Sequence, residues 1–191
     1  VGEFRSNDGG SHWLAIPARG LLTVGADSVL YGLETDAIYF FPQVYRSEDF
    51  GDSWQLLPSS PFSFIPRYGR LWLFATENAL FAGGALSLKR SLDGGGSWQG
   101  ASSGLSATSV RSFEIDRQNP EALYAIDEEE NRMEGLQRSA DRGDTWDRLS
   151  IVPQNGHSRL ADLAVDPQDS RHLLVAKQGA YTDEPSGILE S

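Results

Sequence analysis

A chain of 191 residues with 27 acidic against 16 basic side chains, a formal net charge of −11, has no bulk attraction for nucleic acid or an anionic membrane, since both require an excess of Lys and Arg. Its 39% hydrophobic content, with five Trp, nine Phe and twenty Gly, describes a folded, turn-rich soluble protein rather than a disordered one. The absence of cysteine excludes a disulfide framework, a thiolate metal site and a cysteine nucleophile, and no run approaches the ~18 apolar residues of a membrane-spanning helix.

One pattern recurs along the chain, Ser-x-Asp-x-Gly-x-x-Trp, each time preceded by arginine. Motif 1 is Ser6, Asp8, Gly10, Trp13; motif 2 is Ser47, Asp49, Gly51, Trp54; motif 3 is Ser91, Asp93, Gly95, Trp98; motif 4 is Ser139, Asp141, Gly143, Trp146. The Asp-to-Asp steps of 41, 44 and 48 residues suit one four-stranded sheet per repeat. Each motif reads as a hairpin turn in which Ser and Asp oxygens accept turn amides, Gly supplies permissive backbone angles, and Trp packs on neighbouring sheet.

Short β-rich runs fall in a fixed order, here labelled A to D, around these turns. Residues 1–18 hold a C-strand entry and motif 1. In 19–57 the strands are expected at 21–25, 29–33, 44–47 and 53–57; in 70–101 the first three lie at 71–76, 79–83 and 87–91. In 110–149 they lie at 110–116, 122–126, 135–139 and 145–149, with Asn119 and Pro120 turning A into B. The stretch 160–191 begins with 160–166 and 173–177 and ends at 187–191, where another C strand begins. No linker divides the chain, so 1–191 is expected to be one domain.

The four complete motifs resemble the Asp-box, or bacterial neuraminidase repeat, of sialidases, xyloglucanase-like glycoside hydrolases, sortilin-type receptors and photosystem II assembly-factor propellers. The resemblance implies an all-β fold, a β-propeller of four-stranded antiparallel blades with about four blades present, in which the motif is structural and faces away from the functional site. The two ends enter the same strand of the repeat, so either the chain is part of a larger propeller or its ends complete one blade of a closed four-bladed ring. The kinship favours part of a larger propeller.

In an up-and-down sheet the A–B and C–D turns share one end and the B–C and D–A connections the other, so binding groups are expected at the second end. There, Tyr39, Phe40 and Phe41 lie beside Asp36, and Tyr181 beside Asp183 and Glu184. Rings beside carboxylates suit stacking on a sugar, and equally suit packing of a loop on its neighbour. The acids Asp127, Glu128, Glu129 and Glu130 read as a solvated loop, because sequential acids at a hairpin tip rarely converge on one cation. An arginine stands just before each inner strand, Arg19, Arg70, Arg111 and Arg159, the last two both 18 residues after their motif aspartate; these guanidiniums are candidates to ring the mouth of the central channel and bind carboxylate or phosphate groups, or are surface cations paired with nearby acids. His12, His157 and His172 show no metal-ligand spacing, and neither metal nor cofactor is expected.

The resemblance leaves two functions open. A sialidase carries a Phe-Arg-Ile-Pro motif, and here the nearest string, Phe64, Ile65, Pro66, Arg67, has another order. A xyloglucanase-like hydrolase uses two aspartates as general acid and base, and Asp36 alone matches loosely, so the catalytic residues of a hydrolase would lie largely outside this chain. The alternative, a non-catalytic scaffold for a protein partner or a glycan, needs fewer special residues and is the preferred expectation. The same kinship implies an extracytoplasmic setting: secreted, periplasmic or lumenal.

Overall fold

The computed structural model describes residues 3–17, 19–25, 28–35, 41–63, 71–84, 87–105, 109–128, 135–150, 159–178 and 187–190, and the regular structure among them is β. Strands β1 (Glu3–Arg5) and β2 (Leu14–Ile16) form a hairpin around motif 1. β3 (Leu21–Val24), β4 (Leu30–Thr35), β5 (Pro42–Ser47) and β6 (Gln55–Leu56) form an antiparallel sheet in that order. β7 (Leu71–Ala75), β8 (Leu80–Gly84), β9 (Lys89–Ser91) and β10 (Gln99–Gly100) form a second four-stranded sheet. β11 (Ser109–Ile115), β12 (Leu123–Glu128), β13 (Gly135–Ser139) and β14 (Asp147–Leu149) form a third, and β15 (Arg159–Val165), β16 (Leu173–Gln178) and β17 (Gly187–Glu190) a three-stranded one. The expected four-stranded antiparallel repeat is therefore the architecture.

The outer strands are shorter than expected: Gln55–Leu56 replaces 53–57, and Asp147–Leu149 replaces 145–149. The motif turn is the cause. The amides of Ser53 and Thr145 are bound by the motif carboxylates, so neither can join the ladder, and pairing resumes only after the tryptophan.

The chain clusters into two compact units, Val1–Tyr68 with Trp72–Ala82 and Arg90–Gln99, and Gly69–Leu71 with Gly83–Lys89 and Gly100–Ser191. In the first, Leu33, Val44, Leu80, Phe81 and Ala82 are buried. Each buried Leu, Val or Phe contributes roughly 1.5–3 kcal/mol. Thr23 Oγ1 accepts the amide of Ala75 at 3.2 Å, tying β3 to β7.

In the second unit Tyr124, Ile126 and Leu136 pack with Leu160, Leu163, Leu173 and Val175. β11 and β15 carry a bulge at matching places, between Val110 and Ser112 and between Leu160 and Asp162. Their A–B turns are also alike: Asp116 and Asp166 accept the amides of Gln118 and Gln168 at 2.9 and 2.7 Å, an Asx turn that reverses the chain at little cost. Among the described residues no helix is long and apolar enough to cross a membrane.

Candidate functional site

The four motif turns share one hydrogen-bonding scheme. The serine hydroxyl donates to Asp Oδ1 at 2.7–2.9 Å and accepts the amide of the motif glycine at 2.7–2.8 Å. Oδ1 also accepts the amide four residues on, from His12, Ser53, Ser97 and Thr145. Oδ2 is taken by the hydroxyls of Ser53, Ser97 and Thr145 and, in motif 1, lies 2.5 Å from His12 Nδ1. With both oxygens engaged, the hydroxyl and amide at the fourth residue hold Asp49, Asp93 and Asp141 down at a pKa of about 2; the His12 amide and ring push Asp8 below its ordinary value. These carboxylates are fixed acceptors of the turn, each with both oxygens bonded within its own motif.

The residue after each motif aspartate is left-handed: Gly9 and Gly94, but also Phe50 at φ 57° and Arg142 at φ 58°. A side chain there strains the backbone by roughly 1 kcal/mol.

The first two motif turns are joined by the arginine that precedes the first motif serine. Arg5 Nη1 donates to the carbonyls of Asp49 (3.3 Å) and Phe50 (2.8 Å), and Nη2 lies 3.1 Å from the Asp52 carboxylate. Arg46, its counterpart one repeat later, instead lies 2.5 Å from Glu48. Burial weakens the Arg46 proton, but Tyr31 and Glu48 outweigh that and raise its pKa. Beside Arg46 opens a cavity of about 600 Å³, lined by Leu57, Glu77, Asn78, Leu92, Asp93 and Gly94 among others. Its position was missed in the sequence, although the arginine at a fixed place before every motif serine was a visible signal.

Among the sequence candidates, Asp36, Tyr39, Phe40, Arg70 and Tyr181 lie outside the described residues. Arg19 sits over the Tyr45 ring, 4.6 Å from its centre, with Nη1 3.7 Å from Glu34, so it has an aromatic and an acidic partner within its own sheet. Arg111 occupies the bulge of β11, whereas Arg159 opens β15 opposite Gln178. When the two bulges are matched, Ala161 is the counterpart of Arg111. The equal spacing of Arg111 and Arg159 from their motifs thus does not put them at equivalent positions, because the intervening connections differ in length.

Asp127 corrects the reading of its tract as a solvated loop. It is 2% exposed, near the end of β12, and its carboxylate accepts the Gly135 amide at 2.9 Å and the Gln137 side-chain amide at 3.1 Å. A Cβ on Gly135 would lie 2.8 Å from Asp127 Oδ1, so the glycine makes room for this buried carboxylate. On the inner strands, Ser112 donates to Asp162 at 2.7 Å, and burial followed by the Asp162 charge raises the pKa of Glu114, with Arg117 opposing.

No family model matches the sequence, and no curated protein matches it. Among solved structures, the chain is similar to the GH74 enzyme of Niastella koreensis, with TM-score 0.63 and 18% identity over 89% of this chain and 28% of that one. It is similar to YCF48 from Cyanidioschyzon merolae, with TM-score 0.60 and 14% identity over 98% of this chain and 64% of that one. A structure of YCF48 bound to D1 peptide gives TM-score 0.61 and 17% identity over 94% and 56%. The chain therefore spans less than a third of the GH74 enzyme and under two thirds of YCF48. These similarities, with the four-stranded sheets, define the fold as a β-propeller.

Proposed function

We propose that this chain is a non-catalytic propeller scaffold that binds a protein partner through the B–C and D–A ends of its sheets. The observation that carries the reading is the contrast between the motif turns and the connections at the opposite end of each sheet. At one end the C–D connections 48–54, 92–98 and 140–146 are equal in length and share one hydrogen-bond scheme. At the other, the B–C connections 36–41, 85–88, 129–134 and 179–186 run from four to eight residues, and the D–A connections 17–20, 57–70, 101–108 and 150–158 from four to fourteen. Uniform motif turns serve the scaffold, and connections of varied length serve recognition.

The motif carboxylates are consumed by their turns, which also favours binding over hydrolysis. That a YCF48 has been solved with D1 peptide supports the capacity of such a fold to hold a polypeptide. Tyr39, Phe40, Tyr181 and the cations Arg19, Arg70, Arg111 and Arg159 are the binding residues of this proposal, and its setting is extracytoplasmic.

The test pairs binding with turnover. An acidic peptide library should yield ligands whose affinity falls about tenfold when Arg111→Glu and Arg159→Glu are combined. Hydrolysis of xyloglucan or sialoside substrates by the chain, abolished by Asp36→Ala, would replace the scaffold with a glycoside hydrolase.

A further inference from the structure

Two junctions between successive motifs in the first unit differ at two sequence positions, and together these differences leave a seat open. At the first junction Arg5 crosses to the carbonyls of Asp49 and Phe50 and to the Asp52 carboxylate. The residue after its motif serine is Asn7, which has no charge to hold Arg5 back. At the second junction that position is Glu48, which draws Arg46 to 2.5 Å within its own motif. The counterpart of Asp52 is Gly96, so the acid on the far side is missing as well.

Around the seat two carbonyls are taken and one is open. Ser59 donates to the carbonyls of Gly95 (3.0 Å) and Gly96 (2.8 Å). No donor among the described residues reaches the Gly94 carbonyl, the counterpart of the Phe50 oxygen that Arg5 grips at 2.8 Å. Gly94 lines the 600 Å³ cavity together with Asp93 and Glu77.

We propose that this cavity receives an arginine side chain presented by a partner polypeptide, in the place that Arg5 fills at the preceding junction. A guanidinium is planar and donates in a fork, which suits two turn carbonyls three bonds apart along the backbone better than a point-like ammonium does. Glu48 offsets Arg46, leaving Glu77 and Asp93 to set the sign of the site. Leu57 and Leu92 on the walls accept the methylenes of the arm. The volume exceeds that of one side chain, so residues flanking the arginine enter with it. The site lies at the motif end of the sheets, and its failure would leave the reading of the opposite end standing.

The experiment is an amide-resolved NMR titration of the whole chain with N-acetyl-arginine N-methylamide, and with its citrulline and lysine analogues. The arginine compound should shift the Gly94, Gly96 and Asn78 amides with a dissociation constant on the order of 1 mM, and citrulline should not. The double variant Glu48→Asn, Gly96→Asp recreates the first junction, freeing Arg46 to occupy the seat, and should abolish the shifts. Glu77→Lys, an exposed change, should weaken binding at least fivefold with the fold intact. An equal response to citrulline or lysine, unchanged binding by the double variant, or no shifts at saturating ligand would overturn the proposal.

Discussion

Motif 1 and motif 4 have the same turn and opposite fates for their tryptophans. The serine accepts its glycine amide at 2.7 Å in one and 2.8 Å in the other, and the aspartate binds the fourth amide at 2.9 and 2.8 Å. Yet Trp13 is 61% exposed and Trp146 only 5%. Trp146 donates its indole N–H to the Ala101 carbonyl at 2.8 Å and meets Phe113 edge-on. Ala101 follows motif 3 by three residues. The turn closes on groups within eight residues, whereas the Trp146 indole is held by the end of the preceding repeat.

The largest effect should therefore separate the two indoles. Trp146→Ala is expected to cost about 3–5 kcal/mol through lost burial, a cavity and an unpaired Ala101 carbonyl, and Trp13→Ala under about 1 kcal/mol. Urea unfolding of both variants checks this, and equal losses would erase the distinction. Next comes the serine. Ser139 is 1% exposed and its removal strands a buried glycine amide, so Ser139→Ala should cost about 1–3 kcal/mol, with Ser6→Ala at the low end of that range because water reaches motif 1.

A smaller difference concerns the left-handed position, which is Gly9 in motif 1 and Arg142 in motif 4. Gly9→Ala should cost about 1 kcal/mol. Arg142→Gly should be near neutral, since relief of strain is offset by loss of the Glu121 contact at 2.5 Å. Thermal melts resolve both.

The smallest effects follow pH. The motif aspartates titrate lower in the folded chain than in the unfolded one. Their contribution is present above a pH of about 4 and is lost as pH falls toward about 2. Asp141→Asn should flatten that part of the curve. Glu114 has the opposite sign: its folded pKa is raised, so its ionisation opposes folding at neutral pH. Glu114→Gln should raise the melting temperature slightly at pH 7 and leave it unchanged below pH 4.

Most of the fold was legible because its signals are local. Residues 135–139 were readable as a strand to the residue, and the Asn119-Pro120 turn was readable from its chemistry. The misplacements have identifiable causes: the outer strands start late because motif carboxylates hold the amides that would open them. The candidate site was much less legible. Spacing made Arg111 and Arg159 look equivalent, but the bulges set the register and put Ala161 where Arg111 was matched. A run of acids looked solvated, and Asp127 is buried because Gly135 makes room for its carboxylate.

By itself the sequence determined the repeat, its turns and the all-β class, since each rests on hydrogen bonds and side-chain alternation spanning a few residues. Only the tertiary structure decided which indole is buried, where the inner arginines fall, and that a cavity opens beside Arg46. Those outcomes depend on groups a whole repeat apart, whose distance no local pattern encodes.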